Sequence, residues 1–216
     1  MKFQHGKNLV LKDKKSIFID KTVNIGNNVT IYENNRIEGD TVIADNVTLL
    51  PNNYIVDGII GQGTTVNYSQ IEKSTVGKNC KIGPFSRLRP NTTLKNDVHV
   101  GNFVEIKNST VGNGTKANHL AYVGDCDIGD GCNIGCGVIF VNYNGKIKQR
   151  SKVGNNCFIG SNSNIVSPVN IESNSYICAG TTVTKEVKSG DFVIGRVRQE
   201  NKENRAQMYL KEIKGE

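Results

Sequence analysis

The 216 residues are 37% hydrophobic and 6% aromatic, with 23 Gly and no Trp, a lean composition for a globular core. No run approaches the roughly 18 apolar residues needed to span a bilayer. The N-terminal MKFQHGKNLVLKDKKS carries charge without a continuous apolar segment, so neither a membrane anchor nor a secretory leader is expected. The net charge of +7 is spread along the chain rather than gathered into a basic stripe interleaved with aromatics. That pattern argues against nucleic-acid binding and for a few cations converging on a small anion.

Residues 1–20 lack any period and are expected to form an irregular lead-in. From Ile25 to Val183 the chain repeats every six residues, as in Ile128-Gly129-Asp130-Gly131-Cys132-Asn133 followed by Ile134-Gly135-Cys136-Gly137-Val138-Ile139. The unit is an aliphatic residue, usually a Gly, two turn residues and a small or β-branched residue, which is the signature of a parallel β-helix. No unit can bury its own aliphatic residue, so coils must stack to form a core. Three units make one coil, and equivalent positions then recur roughly every 17–18 residues with strands about 4.8 Å apart.

The period is loose over 21–75, with an interruption at 67–75, and nearly regular from Val76 to Phe140. It breaks again at Val141–Arg150, a polar segment that must be extruded as a loop, and loops on rigid scaffolds commonly carry function. Repeats resume at Val153 and stop near Val187. The expected organisation is a lead-in (1–20), a β-helix (21–190) and a tail (191–216). In the tail, Ala206, Tyr209, Leu210 and Ile213 share one face of a short amphipathic helix, suited to docking on a neighbour or on the last coil.

Six cysteines raise disulfide and zinc readings, but no C-x2-C pair exists. Cys80, Cys132 and Cys157 stand at the fifth position of their units, where Val98, Val104 and Val138 stand elsewhere. They are expected to be small inward-facing apolar residues in a protein of the reducing cytoplasm.

The register also compares polar positions in space. Arg89 and Lys107 are each second on their units, 18 positions apart, so one cation lies a coil above the other. Such a ladder is mildly costly unless an anion bridges it, and Arg with Lys suits a phosphate. His119 stands one coil below Cys136, with Glu105 one coil beneath it and three positions along, and Tyr122 above Glu105. An imidazole in that company is a candidate general base. His5 and His99 lack it and are expected to be surface residues.

The stretches IGPFSRLRP (82–90), VGNFVEIK (100–107), NHLAYVGD (118–125), NIGCGVIFVNYNGKIK (133–148), IGSNSNIVSPV (159–169) and AGTTVTKEV (179–187) closely resemble one bacterial enzyme family. This is the acetyltransferase half of the bifunctional N-acetylglucosamine-1-phosphate uridyltransferase and glucosamine-1-phosphate N-acetyltransferase. The resemblance implies an all-β, left-handed parallel β-helix with an extruded loop. It implies a homotrimer with active sites between subunits and no membrane or nucleic-acid partner. It also implies acetyl-CoA as co-substrate, no metal, and a step toward UDP-N-acetylglucosamine and the peptidoglycan cell wall.

By this resemblance His119 is the catalytic base and Glu105 supports it. Arg89 and Lys107 bind phosphate, while Tyr122, Asn133 and Lys148 contact the sugar phosphate. Asn142 and Tyr143 lie close to acetyl-CoA, and Cys136, Ser161, Ala179 and Arg196 contact it. His119 would take a proton from the attacking amine, and backbone N–H groups beside Cys136 would face the developing oxyanion.

Departures from the family are also visible. No G-x-G-T-R-M-like segment occurs, so neither UTP-dependent activity nor a magnesium requirement is expected. Cys136 replaces a usual Ala, and Asn144 stands in place of Asp. The alternatives are the same chemistry on another amino sugar or nucleotide sugar, and a non-catalytic β-helix binding protein with a relic site. A zinc hydrase of the same fold would need three His per site from His5, His99 and His119.

Overall fold

The computed structural model describes residues 3–214. Short strands place one residue outward and the next inward, and the inward one is the aliphatic residue that opens each unit. Ile25, Ile31, Ile37, Ile43, Leu49, Ile55 and Ile60 are all fully buried. Every ladder between coils is parallel, and together they close a left-handed β-helix around one aliphatic column. It has three flat faces.

The outward residues of the first face run Val10, Thr30, Thr48, Thr65, Lys81, His99, Lys116, Asn133, Phe158, Tyr176, Phe192. Those of the second face run Arg36, Tyr54, Gln70, Arg87, Glu105, Tyr122, Ile139, Asn164, Thr182. The third face carries Thr75, Thr93, Thr110, Asp127, Lys152 and Asn170 in its upper part. Strands His99–Lys107 and Lys116–Gly124 run unbroken around the corner between the first and second faces, which makes that edge the most continuous part of the scaffold.

The lead-in expected over 1–20 is instead the first coil. Gln4–His5, Val10–Leu11 and Phe18–Ile19 each pair with a strand of the coil above, and Phe3, Leu9 and Ile17 pack against the core. His5 stands in register with Ile25, and the step from Leu11 to Ile19 is longer than that from Ile31 to Ile37 above it, so the period is not legible here. At the other end Phe192–Val193 still pairs with Tyr176–Ile177, so the solenoid continues past residue 190.

The inner corners correct the expectation for cysteine. The Cys80, Cys132 and Cys157 thiols donate to the carbonyls of Lys95 (3.1 Å), Gly154 (3.0 Å) and Glu172 (3.2 Å) one coil above. In the same column the Thr64 and Thr115 hydroxyls donate to Gly77 and Gly129, and accept the N–H of Cys80 and Cys132. The thiols therefore stand in for hydroxyls in a buried polar ladder rather than acting as plain apolar filler. Burial pushes the Cys80 and Cys126 thiols up from their ordinary values.

The turns explain the Asn content. Twenty described non-glycine residues have positive φ, and fifteen of them are Asn or Asp. These residues tolerate a conformation that costs other L-residues roughly 1–2 kcal/mol. The exceptions are Tyr68, Lys73, Phe85, Phe103 and Leu120.

Phe140 is the largest fully buried side chain and precedes the extruded loop. Phe140→Ala is expected to cost about 3–5 kcal/mol. A fall in the urea midpoint would report it, and an unchanged midpoint would show that the column collapses to fill the gap.

Candidate active site

The site residues expected from the sequence fall into two groups at opposite edges of the second face. The first group lies at the corner between the second and third faces. Arg89 stands directly beneath Lys107, and Glu105 in register beneath Tyr122. The cationic ladder is not unpaired, however: the Arg89 Nη1 donates to Glu105 Oε1 at 2.8 Å. That ion pair holds the guanidinium above its ordinary pKa. The unpaired positive charge lies one step up, where Lys148 of the extruded loop sits against Lys107. The Lys148 ammonium, followed by burial, lowers the Lys107 pKa, with Arg89 adding to the repulsion. At Lys107 the repulsion from Lys148 and Arg89 outweighs the attraction of Asp125, and an anion would relieve it.

Tyr122 reaches this group because Gly124 makes room for it. A Cβ on Gly124 would lie 2.5 Å from the Tyr122 hydroxyl and 2.7 Å from Asn142 Nδ2. Asn142 is buried, and its amide donates to Asp125, whose other carboxylate oxygen accepts from Asn108 at 2.5 Å. Asp125 is thus the root of the loop. Arg150 fixes the loop's other end with two bonds to Asp127 (2.8 and 2.5 Å) and one to the Asn108 carbonyl (2.7 Å). Between them Tyr143 bridges Lys148, and Asn144 Oδ1 accepts the N–H of Lys146 and Ile147. Asn144 therefore closes the turn through the same acceptor oxygen that an Asp would offer.

The sequence reading missed Gly124, Asp125 and Arg150. Asp125 shares its turn column with Asp57, Lys73, Asn91 and Asn108, so its charge alone does not mark it in the sequence.

The second group lies at the corner between the first and second faces. Counting from the strand pairings, Asn102, His119, Cys136, Ser161 and Ala179 stand one above another. His119, Cys136, Ser161 and Ala179 are all exposed, and the Arg196 Nη1 donates to the Ala179 carbonyl at 3.0 Å. Among the N–H groups around Cys136, that of Gly135 is held by Ile159 and that of Gly137 by Leu120. The Cys136 N–H has no acceptor among the described residues, so it is the one donor free to face a ligand.

At the corner between the third and first faces the equivalent groups are capped by the next coil. The N–H of Asn96, Asn113 and Asp130 each donate to an Asn or Asp side chain above. At the Cys136 corner the side chain above is Ser161, which makes no such bond.

The structure does not join His119 to Glu105. Three positions along the strand place Glu105 beyond the Leu120 turn, in register with Tyr122, and its carboxylate goes to Arg89. Asn133 lies on the first face, above Lys116 and around the corner from Tyr122, so one chain does not bring it to the Lys107 group. Nor does helix α1 (Arg205–Lys214) dock on the last coil: Tyr209, Leu210 and Ile213 are exposed. Among the described residues no three His, Cys, Asp or Glu side chains cluster closely enough to hold a metal ion, and no helix is long and apolar enough to cross a membrane.

Residues 73–108 match the model for the bacterial transferase hexapeptide (six repeats), and residues 151–185 that for the hexapeptide repeat of succinyl-transferase. The chain is 46% identical over 196 residues to the bifunctional protein GlmU of Clostridium kluyveri, covering 91% of this chain and 43% of that protein. For the Clostridium novyi protein of the same name the identity is 47% over 193 residues, with 89% and 42% covered. The chain thus spans less than half the length of the curated relatives it matches, and the part it matches is their C-terminal part. Among solved structures, LpxA from Acinetobacter baumannii aligns with 83% of this chain and 69% of its own, at 16% identity and a TM-score of 0.44.

Proposed function

We propose, from the two segments that match hexapeptide-repeat models and the likeness to the C-terminal part of the GlmU proteins, an acetyl-CoA-dependent N-acetyltransferase. Its substrate is an amino-sugar phosphate, glucosamine-1-phosphate first among them. The observation that carries this reading is the Arg89, Lys107 and Lys148 cluster, whose mutual repulsion at Lys107 a phosphate would relieve, with Tyr122 beside it.

Acetyl-CoA supplies the acetyl thioester. The column His119, Cys136, Ser161, Ala179 suits it, since it is exposed along its length, carries small side chains above His119 and has Arg196 bonded at its upper end. In the reaction the amine nitrogen forms a bond to the thioester carbonyl carbon, and the carbon–sulfur bond breaks. His119 takes the proton released by the amine, and the departing thiolate ends protonated. The free N–H of Cys136 donates to the oxygen as it gains charge. Glu105 acts by fixing the Arg89 fork rather than by touching His119. Cys136 and Asn144 are where substrate choice would be tuned.

The experiment is to incubate the protein with acetyl-CoA and glucosamine-1-phosphate and to locate the acetyl group by mass spectrometry and NMR. An acetyl on nitrogen is expected. An acetyl on a hydroxyl, or none, overturns the reading. Gly124→Ala is expected to push the Tyr122 hydroxyl aside and raise KM for the sugar phosphate about tenfold, the worth of one charge-assisted hydrogen bond. An unchanged KM would remove Tyr122 from the substrate contacts.

A further inference from the structure

The outward residues of the first face change character along the axis. Thr30, Thr48 and Thr65 give way to Lys81, His99 and Lys116, then to Asn133, then to Phe158, Tyr176 and Phe192. Lys81 pairs with His99 and His99 with Lys116, so three basic side chains leave one flat face on successive strands. Their backbones are roughly 4.8 Å apart. Both lysines are exposed and His99 is half-buried.

This charge goes unanswered within the chain. None of the ion pairs among the described residues involves Lys81, His99 or Lys116. Two places further along stand Gly83, Gly101 and Asn118, and two places before stand Asn79, Asp97 and Gly114, so Asp97 alone carries charge there. Burial, then Lys81 and Lys116, lower the His99 pKa, and Asp97 opposes them without reversing the direction. His99 is therefore largely uncharged at neutral pH, with an ammonium group on the strand to either side. At Arg89 the charge is met by Glu105. On the first face no side chain takes that part.

We propose that the Lys81–His99–Lys116 strip binds a diphosphate group, one phosphate bridging Lys81 and His99 and the next bridging His99 and Lys116. Lysine ammonium groups are mobile point charges, and a protonated imidazole donates from both ring nitrogens. A single phosphate uses two of these donors, whereas two linked phosphates use all three. Binding draws a proton onto His99, because the anion reverses the repulsion that keeps the ring neutral. The strip is separate from the Lys107 group, which lies around the corner beyond the Leu120 turn, and it does not depend on acetyl transfer.

Two sources offer this chemistry. Free diphosphate would touch the strip alone. A nucleoside diphosphate would also reach the rings above Asn133, on which a base can stack. Phe158 and Tyr176 are stacked at 4.7 Å and Tyr176 and Phe192 at 5.1 Å, and all three are exposed.

The test follows the histidine ring signals of the full chain by NMR as pH is varied, with and without inorganic pyrophosphate. The variant His99→Gln identifies the His99 signal. Pyrophosphate should raise the His99 pKa by about one pH unit, equivalent to roughly tenfold tighter binding to the protonated ring. Lys81→Thr/Lys116→Thr should lose this response and bind pyrophosphate at least about tenfold more weakly. Thr already fills the column at Thr30, Thr48 and Thr65, so the coils should persist, as circular dichroism would confirm. A His99 signal that pyrophosphate leaves unmoved, or one that still responds in the double variant, overturns the strip as an anion site. ADP and UDP then separate the sources. Affinity no better than that of pyrophosphate identifies the free diphosphate. Tighter binding that Phe158→Thr returns to the pyrophosphate level identifies a nucleoside diphosphate. Binding of none of the three overturns the strip whether or not the protein acetylates anything.

Discussion

His119→Ala is expected to lower kcat for acetyl transfer by about 10²- to 10⁴-fold, the usual contribution of a positioned general base. The imidazole is exposed on a nine-residue strand that is held on both sides by parallel ladders. Its loss removes no buried contact, so the unfolding midpoint and the mass in solution should not move. The Cys136 N–H and the cation cluster remain in place, which leaves substrate binding, and hence KM, close to the wild-type value. A variant that turns over normally would show that the proton leaves by another route and that the column at this corner serves only to seat the ligand.

The second large effect is expected from Lys107→Met combined with Lys148→Met. Two charge-assisted contacts, each worth roughly 1.5–3 kcal/mol, would be lost together. Affinity for a phosphorylated amino sugar should fall about 10²- to 10⁴-fold, while the unphosphorylated sugar should be used no worse than by the wild type. The pair is expected to be non-additive, because in the free protein Lys148 lowers the pKa of Lys107. Removing Lys148 alone relieves that repulsion, so the first substitution should cost less than the second. Equal losses for phosphorylated and unphosphorylated amines would mean that these lysines support the loop and not the anion.

The solenoid was legible in the sequence because its physics repeats. Inward Ile, Leu and Val recur at a fixed interval, and Asn or Gly recur where the turn requires positive φ. Phe3, Leu9 and Ile17 escaped notice because His5 stands where an aliphatic residue opens later units and the step from Leu11 to Ile19 breaks the six-residue interval. The inner polar ladder escaped for a related reason: thiol and valine have similar volumes, and only the carbonyl of the next coil distinguishes Cys132 from Val138.

The register also placed Arg89 below Lys107 and His119 below Cys136, as the pairings bear out. It did not foresee which way the side chains turn. Glu105 answers to Arg89 because the Leu120 turn separates it from His119, and a count of positions along one strand does not register a corner. Asp125 and Arg150 were missed because they act on the loop, whose path the period does not describe. Asn133 was grouped with Tyr122 through family resemblance alone, and the pairings put it on a different face.

The most direct test of acetyl transfer to an amino-sugar phosphate is release of free thiol from acetyl-CoA against a panel of glucosamine-1-phosphate, glucosamine-6-phosphate, glucosamine and an amino-sugar nucleotide. Thiol release is predicted to depend on the amine and to be fastest with glucosamine-1-phosphate. Release with none of the four, in a protein that keeps its fold, would contradict the account and leave a β-helix whose cation cluster binds without catalysing.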